Sequence, residues 1–200
     1  MVSDLDELII KVTKYTMASV NPERFAHSVR TAETARILCC IYNENEKMGY
    51  LAGVAHDMCK DMSGSVQVYL AEQDGYILSD IEKKKNSLLH GRAASVLLRR
   101  DFGIDNCDLL ESVCCHTFGK KGLSNLGKII YSADKIEPGR PHMTKEYFDV
   151  LTGKSLNALV FHILEENIAF LRKQKKEVAL STLEFYESLK GEYSAESTAE

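Results

Sequence analysis

The sequence predicts an all-α protein built as a single helical bundle. Apolar residues recur at the spacing of helical turns, and the sustained alternation typical of half-buried strands is missing. Residues that cap helix N-termini precede several of these apolar stretches. The 200 residues, 44% of them hydrophobic, are enough for one sizeable core, and no Pro-, Gly- or Ser-rich stretch divides the chain. We therefore expect one domain over residues 1–190 and a disordered, polar tail over residues 191–200.

The first third of the chain predicts three helices. Residues 5–12 carry an apolar stripe at helical spacing. Asn21-Pro22-Glu23 then supplies an N-cap, a proline for the first turn and an early acid, so a second helix should run from there to about Tyr42. A third helix is predicted over residues 46–60, where small residues allow close packing.

The middle of the chain continues the helical pattern. Residues 63–85 predict one or two short helices and a lysine-rich connection, in which Lys83-Lys84-Lys85 is interpreted as a solvated face. A helix over Asn86 to Arg100 should stop at Phe102-Gly103, because glycine commonly ends helices. Asp105 or Asn106 should cap a helix that ends near residue 116, and Ser124 should cap another over residues 125–136.

The last third begins with the clearest loop, Pro138-Gly139-Arg140-Pro141. Two helices are predicted after it, one from Thr144 and a long amphipathic one over residues 154–173. Residues 177–181 predict a short non-helical crossing before a final helix through Lys190.

Composition excludes several classes of protein. A formal charge of −4 and a pI near 5.9 argue against a nucleic-acid surface, which is usually basic. The N-terminus does not resemble a secretory signal, and no apolar run is long enough to cross a membrane. Six cysteines without a CxxC motif fit a reducing cytoplasm, in which they act as small buried hydrophobic residues. We expect a cytoplasmic protein, and the sequence leaves a monomer and a homodimer open.

Six side chains suggest metal chemistry, and they are spread over separate predicted helices: His27, His56, Asp57, His90, His116 and Asp134. Imidazole and carboxylate together suit iron, manganese or zinc in open sites, whereas structural zinc sites usually recruit thiolates. Helical bundles build metal sites from inward side chains on facing helices. The set therefore predicts metal-assisted hydrolysis at a site between helices.

The adjacent pair His56-Asp57 places a condition on this site. Neighbouring side chains on an ideal helix point about 100° apart, so both can reach one ion only with help from a helix end or a distortion. The pair should therefore lie near a helix C-terminus.

The words around these residues resemble the YqeK family of HD-domain metal-dependent phosphohydrolases, the symmetrical bis(5'-nucleosyl)-tetraphosphatases. The series His27, His56-Asp57, Asp134 looks like the H…HD…D signature of HD domains. The longer motifs that carry the resemblance are Arg24-x-x-His27, Gly53-x-x-His56-Asp57-x-x-Lys60, Leu89-His90-Gly91, His116-Thr117-x-Gly119 and Ala133-Asp134-Lys135-Ile136-Glu137-Pro138-x-Arg140. The resemblance covers residues 8–190.

This resemblance implies a ligand set and a substrate site. It implies that one or two iron ions, replaceable by manganese or another divalent metal, are held by His27, His56, Asp57 and Asp134. His90 and His116 either complete a second metal site or contact phosphates. Asp57, Asp134 and Lys60 are implied in catalysis, and substrate contacts are implied for His27, Lys60, His90, His116, Thr117, Asp134, Arg140, Glu177, Val178, Ala179, Leu180 and Ser181.

The implied activity is symmetrical hydrolysis of diadenosine tetraphosphate to two ADP, through attack of metal-bound water on a central phosphate. Three alternatives stay open at this point: another nucleotide phosphohydrolase of the same fold, a nucleotide-binding regulator without catalysis, and a purely structural metal site. Single residues also have structural alternatives. Asp134 could pair with Lys135 or Arg140, Lys60 could interact with a helix end, and Thr117 could belong to a simple turn.

Overall fold

A computed structural model of the chain describes residues 4–196, and it confirms the all-α prediction: this part of the chain contains helices, turns and no β-strand. The helices are α1 (Asp4–Ser19), α2 (Pro22–Ile41), α3 (Glu46–Ala55), α4 (Gly64–Ala71), α5 (Asp80–Lys84), α6 (His90–Phe102), α7 (Cys107–Cys115), α8 (Asn125–Ile136), α9 (Lys145–Thr152), α10 (Leu156–Lys173) and α11 (Leu180–Glu196). Two single 3-10 turns, Glu72–Asp74 and Asn86–Leu88, connect α4 to α5 and α5 to α6.

Capping side chains set the starts of the helices that matter most for the site. The side-chain oxygens of Asn21, Asn106 and Ser124 each accept a hydrogen bond from the backbone N–H three residues later. A cap of this kind stabilises a helix by about 1 kcal/mol. Gly103 ends α6 in the left-handed conformation, at φ 67°, as the sequence predicted.

The core of the bundle lies among α2, α3, α6, α7 and α8. The helix α2 packs along α3 and against α8, and α7 packs against both α6 and α8. Each contributes fully buried side chains, among them Leu38, Leu51, Leu98, Leu109 and Ile129. The six side chains that suggested metal chemistry lie on these five helices or directly after them.

Two glycines permit the closest approaches. A Cβ atom on Gly53 of α3 would lie 2.6 Å from the Cα atom of Ala32 on α2. A Cβ atom on Gly91 of α6 would lie 2.8 Å from the carbonyl oxygen of Val113 on α7. Both positions require glycine because the neighbouring atoms belong to backbone, which cannot move aside cheaply.

Several predicted boundaries were wrong. The helix α3 ends at Ala55 instead of Lys60, and the helix that contains His90 starts at that residue. Ser155 caps α10, and α11 already starts at Leu180 within the predicted crossing. The last helix continues beyond Lys190 to Glu196; residues 1–3 and 197–200, the latter part of the predicted disordered tail, lie outside the described residues.

The cysteines only partly follow the prediction. All six, which lie within the described range, have free thiols. Cys39 and Cys59 are buried, whereas Cys40 and Cys107 are exposed, so the prediction of buried packing was wrong for the latter two. Within the described range no helix has the length and apolar character needed to cross a membrane.

Candidate metal centre

The pair His56-Asp57 lies where the helix α3 ends. His56 is the C-cap residue, and the chain continues in tight turns, with backbone hydrogen bonds from Met58 N to Ala55 O and from Lys60 N to Asp57 O. The prediction that the pair needs a helix end is confirmed. At this helix end the two adjacent side chains face the same volume, and His56 Nε2 lies 3.8 Å from Asp57 Oδ2.

Four histidines direct their Nε2 atoms into this volume. In each case Nδ1 lies close to an oxygen that can only accept a hydrogen bond: Glu137 Oε1 at 3.1 Å from His27, Gly53 O at 2.6 Å from His56, Ser87 O at 2.8 Å from His90 and Val113 O at 2.7 Å from His116. For His90 this oxygen is closer to Nδ1 than Lys60 Nζ, which lies 3.2 Å away. Nδ1 therefore carries the proton in the neutral ring, and Nε2 presents a lone pair. This is the arrangement that metal-binding histidines adopt.

The first cluster consists of His27, His56 and Asp134 together with Oδ2 of Asp57. The two Nε2 atoms are 3.2 Å apart, and Asp134 Oδ1 lies 3.2 Å from that of His27 and 3.8 Å from that of His56. Asp57 Oδ2 lies 3.9 Å and 3.8 Å from the same two nitrogens. Ligand atoms that share an ion at bonds of about 2.1 Å are about 3.0–3.4 Å apart, close to these distances.

The second cluster consists of His90 and His116 together with Oδ1 of Asp57. The two Nε2 atoms are 2.9 Å apart, and Asp57 Oδ1 lies 3.0 Å from that of His90 and 3.8 Å from that of His116. Two lone pairs at this separation repel each other unless a cation lies between them. Asp57 therefore stands between the clusters and offers one oxygen to each.

Burial controls the charge of these groups. Burial lowers the pKa of His56 below its ordinary value and that of His116 well below it, so both rings are neutral near pH 7. Burial alone would raise the pKa of Asp57, but His56, His90 and Lys60 outweigh it and hold that pKa well below its usual range. The centre thus combines neutral imidazoles with an ionised carboxylate, the protonation states that metal ligands require.

This donor set fits a divalent metal ion. The described residues contain two groups of three potential ligands whose donor atoms lie within 4.8 Å of one another, His27 with His56 and Asp134, and His56 with Asp57 and His116. Converging lone pairs, carboxylate oxygens and hydrogen-bonded Nδ1 atoms all favour a bound cation.

Cations surround the two clusters. Arg24 Nη1 donates to Asp57 Oδ2 at 2.6 Å, and Arg140 Nη2 donates to Asp134 Oδ1 at 2.6 Å. Lys60 Nζ lies 3.1 Å from His90 Nε2 and 3.9 Å from Asp57 Oδ1. Asp134 thus also forms the ion pairs with Arg140 and Lys135 that the sequence left open as a structural alternative, since Lys135 Nζ lies 3.3 Å from its Oδ2.

The clusters lie in a cleft of about 900 Å³. Eight lysine and arginine side chains line it against five acidic ones, although the chain as a whole carries a charge of −4. The cleft is thus locally basic in an acidic protein. It is an electrostatic setting for a polyanion of the size of a nucleotide.

The cleft contains most of the residues that the sequence singled out. Five of the six metal-centre residues line it, and His56 lies buried behind them. The other predicted residues that line it are Lys60, Thr117, Arg140, Glu177 and Ala179. Thr117 Oγ1 lies 3.4 Å from Nε2 of both His90 and His116. Val178, Leu180 and Ser181 are not among the lining residues, and Leu180 is 70% exposed.

The interpretation of Lys84 and Lys85 as a solvated face is incomplete. Both are exposed, as that interpretation requires, but both also line the cleft. Lys84 Nζ pairs with Glu177 Oε2 at 2.9 Å across the chain. The run of three lysines could not reveal this contact, because it depends on the approach of Lys84, at the end of α5, to Glu177 in the segment before α11.

Sequence reasoning missed three residues of the centre. Arg24 and Glu137 stood within the quoted motifs without a role, and Arg30 stood outside them. Arg30 is three residues after His27 on α2, so the signal that could have found it is helical spacing, which puts both side chains on one face. Its Nε donates to Glu137 Oε2 at 2.5 Å.

Inward histidines and aspartates on facing helices, beside a basic cleft, are the arrangement from which helical bundles build metal sites. The sequence matches the model of the HD domain over residues 24–139, more than half of the chain. The chain belongs to the HD-domain family.

Relatives cover nearly the whole chain. A protein of Halalkalibacterium halodurans named bis(5'-nucleosyl)-tetraphosphatase, symmetrical, is 28% identical over 184 residues, which cover 90% of this chain and 95% of that protein. A protein of the same name from Staphylococcus aureus is 29% identical and covers 82% and 84%. The crystal structure of a predicted HD superfamily hydrolase involved in NAD metabolism from Clostridium acetobutylicum is 32% identical, with a TM-score of 0.84 and coverage of 92% and 97%.

Proposed function

We propose that this protein hydrolyses diadenosine tetraphosphate symmetrically to two molecules of ADP and that it requires a bound metal ion. One observation carries the proposal: beside a basic cleft, four histidine Nε2 atoms lie 3.0–3.9 Å from the two oxygens of Asp57. The names of the relatives from Halalkalibacterium halodurans and Staphylococcus aureus support the choice of substrate.

The metal ion of this proposal is iron, held by the first cluster and Asp57, with manganese or another divalent metal as a substitute. A bound divalent metal lowers the pKa of water from 15.7 toward about 7 and polarises a phosphoryl oxygen. Asp57 and Asp134 would hold the ion through carboxylate oxygens, and the same carboxylates could accept a hydrogen bond that orients the attacking water. His90 and His116 either hold a second ion or contact the phosphate chain.

The cations of the cleft handle the charge of the substrate. Lys60 and Arg140 lie at the edge of the clusters, where they can donate to phosphate oxygens that do not react. Thr117 offers a hydroxyl beside the second cluster. Addition of water to one central phosphorus, with cleavage of the bond to the bridging oxygen, gives two ADP and consumes no other reactant.

The nucleoside is assigned to the side of the cleft that Glu177 and Ala179 line. Leu88 and Leu171 also line the cleft, and apolar side chains suit the face of a base. Val178, Leu180 and Ser181 remain in the proposal through the family resemblance alone.

Product analysis tests the proposal. Protein loaded with Fe²⁺ or Mn²⁺ is incubated with diadenosine tetraphosphate, and the nucleotides are separated by ion-exchange chromatography. Symmetrical cleavage gives ADP alone. AMP plus ATP would overturn the regiochemistry, and tight binding without any product would identify a binding protein.

The role of the metal is tested separately. After chelation the protein should stay folded and lose activity, because no residue of the hydrophobic core lines the cleft. Unfolding upon metal removal would instead support the structural metal site.

A further inference from the structure

Glu137 is a buried carboxylate that the proposed mechanism does not use. It is 1% exposed, and it lies at the C-terminal end of α8, three residues after Asp134. Buried carboxylates are rare unless each oxygen is satisfied. The contacts of Glu137 therefore indicate what keeps it there.

Three groups donate to this carboxylate. Oε2 accepts from Arg30 Nε at 2.5 Å and from the backbone N–H of Gly139 at 2.5 Å. Oε1 lies 3.1 Å from His27 Nδ1 and 3.3 Å from Arg30 Nη2. Burial by itself would raise the pKa of Glu137, but Arg30, Gly139 and His27 lower it below its ordinary value, so the group is ionised at neutral pH.

The contact with His27 differs from those of the other three histidines. His56, His90 and His116 each donate from Nδ1 to a backbone carbonyl of their own chain segment, three residues earlier. His27 instead donates to a side chain 110 positions away. A carboxylate partner makes the imidazole a stronger donor to a cation than a carbonyl does.

Arg30 and Gly139 fix the position of Glu137. A Cβ atom on Gly139 would overlap the guanidinium of Arg30, so a larger residue here would displace that side chain from its present position. The same segment is tied to the first cluster by Arg140, whose Nε donates to Asp134 O at 2.8 Å. Glu137 thus joins α2, α8 and the loop over residues 138–141.

The geometry points to Glu137, clamped by Arg30 and Gly139, as the positioning residue of His27: it holds the ring with Nε2 directed at the ion and so sets the metal affinity of the first cluster. The inference rests on the metal centre of the proposed function. It adds a residue that acts on the metal through His27 without touching substrate.

Metal affinity of Glu137→Gln tests this role. Gln keeps the shape of Glu but replaces one acceptor oxygen with a donor. At the position of Oε1 that donor opposes His27 Nδ1 and Arg30 Nη2, and at the position of Oε2 it opposes Arg30 Nε and the N–H of Gly139. Binding of Mn²⁺ alone, measured by equilibrium dialysis, should weaken about 10–100-fold, as expected when the outer partner of a metal-binding histidine is lost.

The matched control is Glu82→Gln. Glu82 is also a buried carboxylate, which accepts from Arg92 and from the backbone N–H of Ser79, but it does not line the cleft. This variant should lose stability and keep the metal affinity of the unaltered protein. If Glu137→Gln binds Mn²⁺ as tightly as Glu82→Gln, the inference is overturned.

The ring of His27 gives a second readout. Long-range proton–nitrogen NMR spectra of metal-free protein at pH 8 should show His27 protonated at Nδ1 and a mixture of tautomers in Glu137→Gln. An unchanged tautomer would contradict the inference. Both measurements omit substrate, so they do not depend on the proposed activity. If the unaltered protein cleaved no diadenosine tetraphosphate but Glu137→Gln still lost Mn²⁺ affinity, the proposed function would be wrong and the role of Glu137 would be supported.

Arg30→Gln covers the case in which Glu137→Gln does not fold. Arg30 is partly exposed, with 37% of its side chain accessible, so its removal is better tolerated. Without its two donors Glu137 is less fixed, and Mn²⁺ affinity should fall several-fold. Unchanged affinity would overturn the clamp.

Discussion

The two sides of Asp57 are built differently. The first cluster has a second carboxylate, Asp134, and a buried outer carboxylate, Glu137. The second cluster shares only Asp57, and Lys60 and Thr117 stand at its open edge. We therefore expect the first cluster to hold a cation more firmly and the second to leave positions for phosphate oxygens. Two similar histidine pairs can thus serve different purposes, metal binding or phosphate contact, when their carboxylate partners differ.

The largest effect is expected where the two clusters meet. Asp57→Ala removes one oxygen from each, so metal occupancy and hydrolysis should disappear together. The loss of metal affinity should exceed about 100-fold, because even outer partners of ligands contribute 10–100-fold. Metal analysis and a hydrolysis assay check this, and normal activity in this variant would end the account of a shared carboxylate.

His56→Gln and His116→Gln separate the two clusters. Both side chains are buried to a similar extent, at 0% and 2% exposed, so they form a matched pair. His56→Gln should remove the ion of the first cluster, whereas His116→Gln should keep that ion and lower kcat/KM about 10–100-fold, by analogy with partial loss of a metal or phosphate contact. Equal metal content in the two variants would show that the clusters do not differ.

Lys60→Ala probes the open edge of the second cluster. Metal content should stay unchanged, and KM for diadenosine tetraphosphate should rise about 10-fold, the value of one hydrogen bond to a charged group. Lys83→Ala is the control, because Lys83 is exposed, pairs with Asp80 and does not line the cleft. Identical kinetics for both variants would return Lys60 to a structural role at the helix end.

The smallest effect concerns pH. Burial lowers the pKa of His56 and His116, so below about pH 6.5 the unfolded chain binds protons that the folded protein does not, and stability falls as pH falls. His27, whose pKa is raised, adds no opposing change below that pH. Urea unfolding of metal-free protein between pH 6.5 and 5 should show a loss of at most about 1.4 kcal/mol per pH unit for each histidine.

The slope identifies the histidines responsible. In His116→Gln the dependence on pH should become shallower. A stability that does not vary over this range would mean that the two rings are charged in the folded protein.

Local signals predicted most of the fold. Asn21 and Ser124 cap the starts of helices through a side-chain oxygen, and Gly103 ends a helix in the left-handed conformation. These are properties of a few neighbouring residues. The early end of α3 at Ala55 was missed because it depends on the packing of the turns after it.

The site was predictable only in part for the same reason. The histidines and aspartates were recognisable by type, and the condition that His56-Asp57 needs a helix end came from helix geometry. Partners brought together by the fold were not predictable: Arg24 with Asp57, Arg30 with Glu137 and Lys84 with Glu177 are separated by 33, 107 and 93 positions. No local pattern in the sequence encodes such contacts.

Anomalous diffraction from crystals of Mn²⁺- or Fe²⁺-loaded protein would locate the proposed ion. A peak is expected between His27, His56, Asp57 and Asp134, at about 2.0–2.2 Å from the Nε2 atoms and carboxylate oxygens. Such a peak would establish which oxygens of Asp57 and Asp134 hold the ion. An ion bound elsewhere, with these four side chains unligated, would contradict this expectation.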